Sequence, residues 1–229
     1  VEGADIVASR ASAEEMADFG PERLAVFQKM APELGEVGEY FQSTLGRFEF
    51  EGIQMTLPTT TFEGRLERRV GDKTVELIEV GPAHTGGDTL VYVPQDKTVF
   101  TGDILFIDGT PIMWAGPVQN WIDACRRIVE MGVETVVPGH GPITDERGVE
   151  AVRGYLEYVR DETRKRYDAG MDAFEAARDI ALGDYASWGD AERIVVNVDR
   201  LYREFSGDET APDVPTLFGQ MAEIAGSRP

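Results

Sequence analysis

The stretch Val80–Asp103, VGPAHTGGDTLVYVPQDKTVFTGD, places a histidine and an aspartate beside two apolar runs. His84 lies in the Gly-rich turn before the first run, and Asp103 comes just past the second. The other histidine of the chain, His140, lies in a similar turn, VVPGHGP. Because rigid scaffolds present functional groups from the loops at strand ends, we expect all three side chains to lie there.

Metal binding is one interpretation of His84, Asp103 and His140. Imidazole and carboxylate groups together suit zinc, iron or manganese. The alternative is that both histidines are ordinary turn residues whose rings bond the backbone. Residue type and spacing alone do not separate these two interpretations.

The composition describes an acidic globular chain. Its 229 residues are 42% apolar, and 42 acidic against 22 basic side chains give a formal net charge of −20. Such a charge repels nucleic-acid phosphates and anionic lipids. No apolar run approaches the roughly 18 residues of a membrane span. We therefore expect a small-molecule substrate, and neither a nucleic acid nor a membrane as partner.

Cys125 is the single cysteine, so an intramolecular disulfide and a Cys-based zinc cage are both excluded. It lies in a predicted amphipathic helix, WIDACRRIVEMG, where a buried inert thiol is expected rather than a nucleophile. No signal segment opens the chain, which predicts a cytoplasmic protein. The start at Val1, without a methionine, leaves secretion open.

The order of sequence patterns predicts sheets covered by helices. A short strand, ADIVAS, precedes a helical region over about residues 12–48 that begins with a capping box of Ser12 and Glu15. The apolar period then changes to two, which predicts antiparallel strands with a tight turn at Gly71-Asp72. A helix over 116–131 and a strand over 134–137 follow. We expect an α/β or α+β sandwich.

The region beyond Thr144 has helical periodicity throughout. Asp145 is the expected N-cap of a helix that runs to about Ala169, and further amphipathic segments follow. We predict a C-terminal helical extension over residues 145–229. It packs either on the main domain or against a second subunit.

The run GPAHTGGDTLVYVPQDKTVFTGD, the helix after it and VETVVPGHGP resemble the later metal motifs of the metallo-β-lactamase superfamily. This resemblance extends over about residues 3–142. It implies an αββα sandwich with metals at one edge of two facing sheets. By position, it implies that His84 binds one metal, that Asp103 bridges two and is the catalytic residue, and that His140 binds the other.

The resemblance also implies two zinc ions in the intact protein, with iron or manganese as alternatives. Metal-activated water would attack an ester, lactone, thioester or amide. Thr85 and Asp88 are assigned to the support of the turn around His84. An apolar wall that contacts substrate is predicted from three residues, with ordinary core packing as the alternative: Phe106, Met113 and Trp114.

One superfamily motif, H-x-H-x-D-H, is not found in the chain. The opening GADIVASRASAEEM resembles the segment that normally follows that motif. We therefore expect residues 1–144 to be a partial, N-terminally incomplete domain with an incomplete metal site. Loss of the first strands would uncover a sheet edge. This edge, or the C-terminal helices, is a predicted surface for homo-oligomers.

Three hypotheses for function follow. The first is a metal-dependent hydrolase of this superfamily. The second is a non-catalytic binding or assembly protein that kept the fold, which the shortage of histidines favours. The third is an iron-dependent oxidoreductase that uses the same positions.

Overall fold

A computed structural model of the chain describes residues 3–227. Residues 1 and 2, and the last two residues of the predicted C-terminal extension, lie outside that range. The strands are β1 (Val7–Ser9), β2 (Thr60–Phe62), β3 (Arg65–Val70), β4 (Lys73–Glu79), β5 (Thr89–Val93), β6 (Thr98–Phe106) and β7 (Thr135–His140). The α-helices are α1 (Arg10–Asp18), α2 (Pro21–Met30), α3 (Glu36–Leu45), α4 (Val118–Glu130), α5 (Glu146–Asp168), α6 (Ala173–Asp179), α7 (Ile194–Ser206) and α8 (Val214–Ser227).

The strands form two sheets. The larger has the order β3-β4-β5-β6-β7, antiparallel except for the parallel pair β6 and β7, and the smaller is the parallel pair β1 and β2. The predicted hairpin at Gly71-Asp72 is confirmed, since Val70 pairs with Lys73. Helix α4 packs on β6, and α1 packs on both strands of the smaller sheet. The α/β class with additional C-terminal helices is therefore confirmed.

Strand β6 corrects the predicted position of Asp103. The sequence pattern ended this strand before Asp103, whereas β6 continues to Phe106 and includes the aspartate. The pairing of β6 with β7 shifts register at Gly102 and again before Phe106. Gly102 has φ +51°, in the left-handed region that favours glycine. The glycine therefore marks a break in register, not the turn that its sequence context predicted.

The start of α1 corrects the predicted helix cap. The helix begins at Arg10, and its N-cap is Ser9, whose Oγ accepts from the Ser12 backbone N–H at 3.2 Å. The capping box expected at Ser12 and Glu15 is wrong, because both residues lie inside the helix. Their side chains make tertiary contacts instead.

Helix α1 is fastened to the turn that follows His84. The hydroxyls of Ser9 and Ser12 both donate to the Gly87 carbonyl at 2.8 Å. Glu15 accepts from the Gly86 backbone N–H at 2.9 Å. A Cβ atom at Gly87 would lie 2.3 Å from the Ser12 nitrogen, so only glycine allows this approach. The start of the described chain is thereby tied to the loop that carries the first predicted metal ligand.

The inserted helices pack on the C-terminal region. A 3-10 turn (Ala31–Glu33) separates α2 from α3. The ring of Phe27 contacts that of Phe41, which is buried, and both Phe27 and Tyr40 lie edge-on to Phe218 of α8. This aromatic cluster joins the helical insertion to the extension. The domain division at residue 144 stays a prediction.

The main core lies between the larger sheet and the helices that follow it. Amphipathic α4 turns Trp121, Ile122 and Cys125 inward, and α5, capped by Asp145 as predicted, adds buried Val152 and Leu156. The same core continues into α6, α7 and α8. Among residues 3–227, no helix combines the length and hydropathy required to cross a bilayer.

An extended apolar segment before β2 is exposed to solvent. Ile53, Met55 and Leu57 are 48%, 39% and 45% exposed, and they alternate with Gln54 and Thr56. Alternation of this kind is typical of a strand. Within the described chain, no strand pairs with this segment. The association of copies through a sheet edge or the C-terminal helices stays a prediction.

Replacing Ser9 should destabilise the fold more than an ordinary helix-surface change. Ser9→Ala removes a helix cap and a buried hydrogen bond to Gly87, so we expect a loss of about 1–3 kcal/mol in the free energy of unfolding. Urea denaturation measures it. Ser43→Ala is the control, because Ser43 is exposed and its hydroxyl donates to the Tyr40 carbonyl of its own helix. Equal losses in the two variants would contradict the cap assignment.

The expectation of an inert Cys125 leads to a second prediction. The side chain is fully buried, and burial raises the pKa of the Cys125 thiol to about 12. At pH 8 the thiolate population is therefore very small. We expect dithionitrobenzoate to react with the native chain much more slowly than with the chain unfolded in guanidinium, in which one cysteine thiol per chain should react. Rapid stoichiometric reaction of the folded chain would show that Cys125 is accessible.

Candidate metal centre

Three side chains predicted from the sequence converge at one end of the larger sheet. His84 Nε2 lies 3.3 Å from Asp103 Oδ2, and His140 Nε2 lies 3.3 Å from Asp103 Oδ1. The parallel pairing of β6 with β7 brings Asp103 beside the end of β7, where His140 lies. The side chains of Asp103 and His140 are 39% and 54% exposed, whereas that of His84 is 12% exposed. One carboxylate is thus shared between two imidazoles, with one ring on each oxygen.

The backbone of β7 passes directly beside the carboxylate. A Cβ atom at Gly139 would lie 2.4 Å from Asp103 Oδ1 and 2.6 Å from the Gly102 carbonyl oxygen. Real side chains do not tolerate such distances. Gly139 in the PGHGP motif therefore allows the approach that places Asp103 against His140.

The protonation of the His84 ring is fixed by a backbone carbonyl. His84 Nδ1 lies 2.6 Å from the Ile112 carbonyl oxygen, which can only accept a hydrogen bond. Nδ1 therefore carries a proton, and a neutral ring presents the lone pair of Nε2 to Asp103. A lone pair facing a carboxylate is repulsive unless a cation lies between them or the ring is doubly protonated. The pair of His84 Nε2 and the Asp103 carboxylate is therefore suited to binding a cation.

The turn around His84 is held by Asp88 and Thr85. Asp88 Oδ2 accepts from the backbone N–H groups of Ala83 and Thr85, at 3.1 and 3.0 Å, and Oδ1 accepts from the Thr85 hydroxyl at 2.9 Å. Burial raises the pKa of Asp88, and the hydrogen bonds from Thr85 act in the opposite direction. Both residues lie where the sequence placed them, within the turn itself.

His140 rests on an aromatic ring. Its imidazole is stacked on Phe106, with centroids 4.4 Å apart and planes 8° apart. The guanidinium of Arg193 lies 5.5 Å from the centroid of the same Phe106 ring and donates to the Thr110 carbonyl at 3.0 Å. The His140 carbonyl accepts from the Ile107 backbone N–H at 2.9 Å. The ring and backbone of His140 are therefore both supported.

The residues predicted to form an apolar wall differ in exposure. Phe106 and Met113 are buried, with exposed fractions of 2% and 1%, while Trp114 is half-buried and its backbone N–H donates to the His84 carbonyl at 3.2 Å. Phe106 supports His140, and Met113 belongs to the core. Their contact with a substrate stays a prediction.

The geometry fits part of a dinuclear metal site. Two ligands about 2.0–2.2 Å from a tetrahedral metal lie about 3.4 Å apart, close to both 3.3 Å separations here. Each position nevertheless has only one imidazole and one carboxylate oxygen, and a catalytic zinc takes about three protein ligands. Among residues 3–227, no group of three or more His, Cys, Asp or Glu side chains is arranged to hold one ion. The residues fit a shared carboxylate with one histidine per metal, and not a complete site.

Two contributors to this site were missed in the sequence. Ile112 acts through its backbone carbonyl, which no side-chain pattern reveals. Asn197 is buried in α7 and bonds the residues on either side of Ile112. A signal for Asn197 was present, because it is a polar residue inside the apolar run IVVNV. Such a residue needs hydrogen-bond partners when it is buried.

One characterised protein is similar to part of this chain. It is the 2,4-dinitroanisole O-demethylase subunit alpha of Nocardioides sp. (strain JS1661), 33% identical over 91 residues. The match covers 37% of this chain and 26% of the length of that subunit. The matched segment therefore spans about a quarter of the length of that relative.

Solved structures share the fold at low sequence identity. A double mutant of the sec-alkylsulfatase PisA1 matches with a TM-score of 0.60 and 12% identity, covering 91% of this chain and 38% of the other. The sec-alkylsulfatase Pisa1 from Pseudomonas sp. matches with a TM-score of 0.51 and 13% identity, covering 67% of this chain and 27% of the other. At these identities the likeness concerns the fold alone.

The family comparison covers all three candidate metal ligands. The model of the metallo-beta-lactamase superfamily matches residues 4–140, more than half of the chain. This range includes His84, Asp103 and His140, together with helix α1 and the turn to which it is fastened. The chain belongs to the metallo-beta-lactamase superfamily.

Proposed function

We propose that the chain forms part of a metal-dependent hydrolase that acts on an ester, lactone, thioester or amide bond. The observation that carries this proposal is the pair of imidazoles on opposite oxygens of Asp103. Superfamily membership supports it. When bound, two divalent ions would lower the pKa of a water molecule and stabilise the oxyanion that forms on the substrate.

The roles of the residues follow from their positions. His84 offers Nε2 because its Nδ1 proton is bonded to Ile112, and His140 offers Nε2 from a ring supported by Phe106. Asp103 would be shared between the two ions. Zinc is the proposed metal, and the same donors are compatible with iron or manganese.

The remaining ligands are proposed to come from outside the described residues. The donor count supports this, because each metal position lacks at least one ligand. We propose that an H-x-H-x-D-H segment of a longer protein completes the site.

The substrate is proposed to be a small molecule. A formal charge of −20 disfavours large polyanions. The name of the sec-alkylsulfatase suggests testing an alkyl sulfate ester, and the name of the dinitroanisole O-demethylase subunit suggests testing an aryl methyl ether. An assay panel should include these two beside carboxylic esters, lactones, thioesters and amides.

A non-catalytic protein is the second candidate function. The donor count favours it, because two donors per position would bind an ion only weakly. Metal analysis and the assay panel distinguish the two candidates, since stoichiometric metal with turnover is incompatible with a non-catalytic role. Iron with oxygen uptake would instead indicate the oxidoreductase.

Replacing the shared carboxylate should weaken zinc binding by this chain. We expect Asp103→Asn to lower zinc affinity by more than about tenfold. Removing a residue that only supports a metal ligand already lowers metal affinity by about 10–100-fold, and Asp103 is proposed to bind the metal directly. Isothermal titration with zinc chloride measures the affinity. Asp108→Asn is the matched control, because Asp108 is an exposed aspartate a short distance along the same segment. Equal affinity in the Asp103 and Asp108 variants would argue against Asp103 as a ligand.

The gene provides the test of the complete site. We expect the reading frame upstream of Val1 to encode H-x-H-x-D-H, and the full product to contain about two metal ions per chain and to hydrolyse a member of the panel. Elemental analysis and the assays check both statements. An immediate in-frame stop without that motif would end the hydrolase proposal.

A further inference from the structure

The segment Pro111–Met113 lies between His84 and helix α7. On one side, the Ile112 carbonyl accepts from His84 Nδ1 at 2.6 Å. On the other, Asn197 of α7 contacts the residues before and after Ile112. A residue of the C-terminal helices therefore bonds the same peptide group whose carbonyl lies against His84 Nδ1.

Asn197 uses both ends of its amide on this segment. Its Oδ1 accepts from the Met113 backbone N–H at 2.8 Å, and its Nδ2 donates to the Pro111 carbonyl at 2.9 Å and to the Tyr155 hydroxyl at 3.1 Å. The side chain is 1% exposed, so water does not compete for these bonds. The Met113 N–H belongs to the same peptide group as the Ile112 carbonyl, and the Pro111 carbonyl belongs to the peptide group before it. Because Asn197 bonds both groups, the direction of the Ile112 carbonyl is fixed.

The direction of that carbonyl matters because His84 has two possible acceptors. A neutral ring has one N–H, which can donate either from Nδ1 to Ile112 or from Nε2 to Asp103 Oδ2, 3.3 Å away. A carboxylate is intrinsically the stronger acceptor. The carbonyl therefore retains the proton only if it is held close to Nδ1, and the two atoms are 2.6 Å apart.

We propose that Asn197 is a positioning residue that, through Pro111–Met113, keeps the proton of His84 on Nδ1 and leaves Nε2 free for a cation. The statement about the proton depends only on this chain. The statement about the cation rests on the proposed function. Helix α7 is by this inference a part of the site and not only a covering of the core.

Nitrogen-15 NMR of the metal-free chain in chelator tests the proton position directly. The chain has two histidines, and a His140→Gln background assigns the signals of His84. At a pH where the ring is neutral, we expect the wild type to be the Nδ1–H tautomer. Asn197→Asp, which cannot donate to Pro111, and Asn197→Ala should both change the tautomer ratio toward Nε2–H by about tenfold, the size expected for one lost hydrogen bond.

Two variants control for general damage to the fold. Val198→Ala removes buried volume from the next position of the same helix, and it should leave the ratio unchanged. Tyr155→Phe removes one partner of Nδ2 but retains the bonds to Pro111 and Met113, so it should also keep the Nδ1–H form. An Nε2–H wild type, or folded Asn197 variants that keep the wild-type ratio, would overturn the inference. Equal changes in Val198→Ala and the Asn197 variants would overturn it too.

Hydrogen exchange in the wild type covers the case in which the Asn197 variants do not fold. The Met113 backbone proton and the His84 Nδ1 proton should exchange through the same opening, with the same dependence on low concentrations of urea. Loss of the His84 proton while Met113 remains protected would contradict the coupling.

A zinc titration separates this inference from the proposed function. If both are right, Asn197→Asp changes the tautomer and weakens zinc binding by about tenfold or more. A changed tautomer in the full gene product, if its wild type binds no zinc, would remove the metal proposal and leave the positioning role in place. If Asn197→Asp changes the tautomer of His84 but leaves zinc affinity unchanged, the tautomer does not control zinc binding, and that part of the inference is overturned.

Discussion

The parallel pairing of β6 with β7 is the constraint on which the candidate site depends. It places an aspartate inside one strand beside the histidine at the end of the next. Two glycines make this possible: Gly102 adopts the left-handed conformation at the register shift, and Gly139 leaves room for the Asp103 carboxylate. The relative positions of Asp103 and His140 are therefore a property of the backbone, and changes in either glycine would act on both ligands together.

The C-terminal helices contribute to this site although they carry none of its predicted metal ligands. Arg193, just before α7, lies against the ring on which His140 is stacked, and Asn197 bonds the segment that contacts His84. Each histidine thus has a support that reaches it from the C-terminal helices. The hydrophobic core extends over the same elements, from the larger sheet through α7 and α8.

The sequence predicted the elements and the three converging side chains, because apolar periodicity and Gly-rich turns are local signals. Other features depended on tertiary contacts. Gly102 has the context of a turn glycine, and only pairing with β7 shows that Asp103 belongs to the strand. Ser9 and Ser12 both match a helix cap, and the Gly87 carbonyl fixes where both hydroxyls lie. The Ile112 carbonyl has no counterpart in a side-chain pattern.

The exposed segment before β2 has a consequence for how the protein behaves in solution. Residues 53–57, IQMTL, carry no charge and present alternating, exposed apolar side chains, a pattern that favours pairing with another strand. Mutual repulsion between chains of net charge −20 opposes such pairing at low ionic strength. The Debye length falls from about 10 Å at 0.1 M salt to about 3 Å at 1 M. We therefore expect the acidic surface to contribute to colloidal stability, and concentrated salt to weaken that contribution.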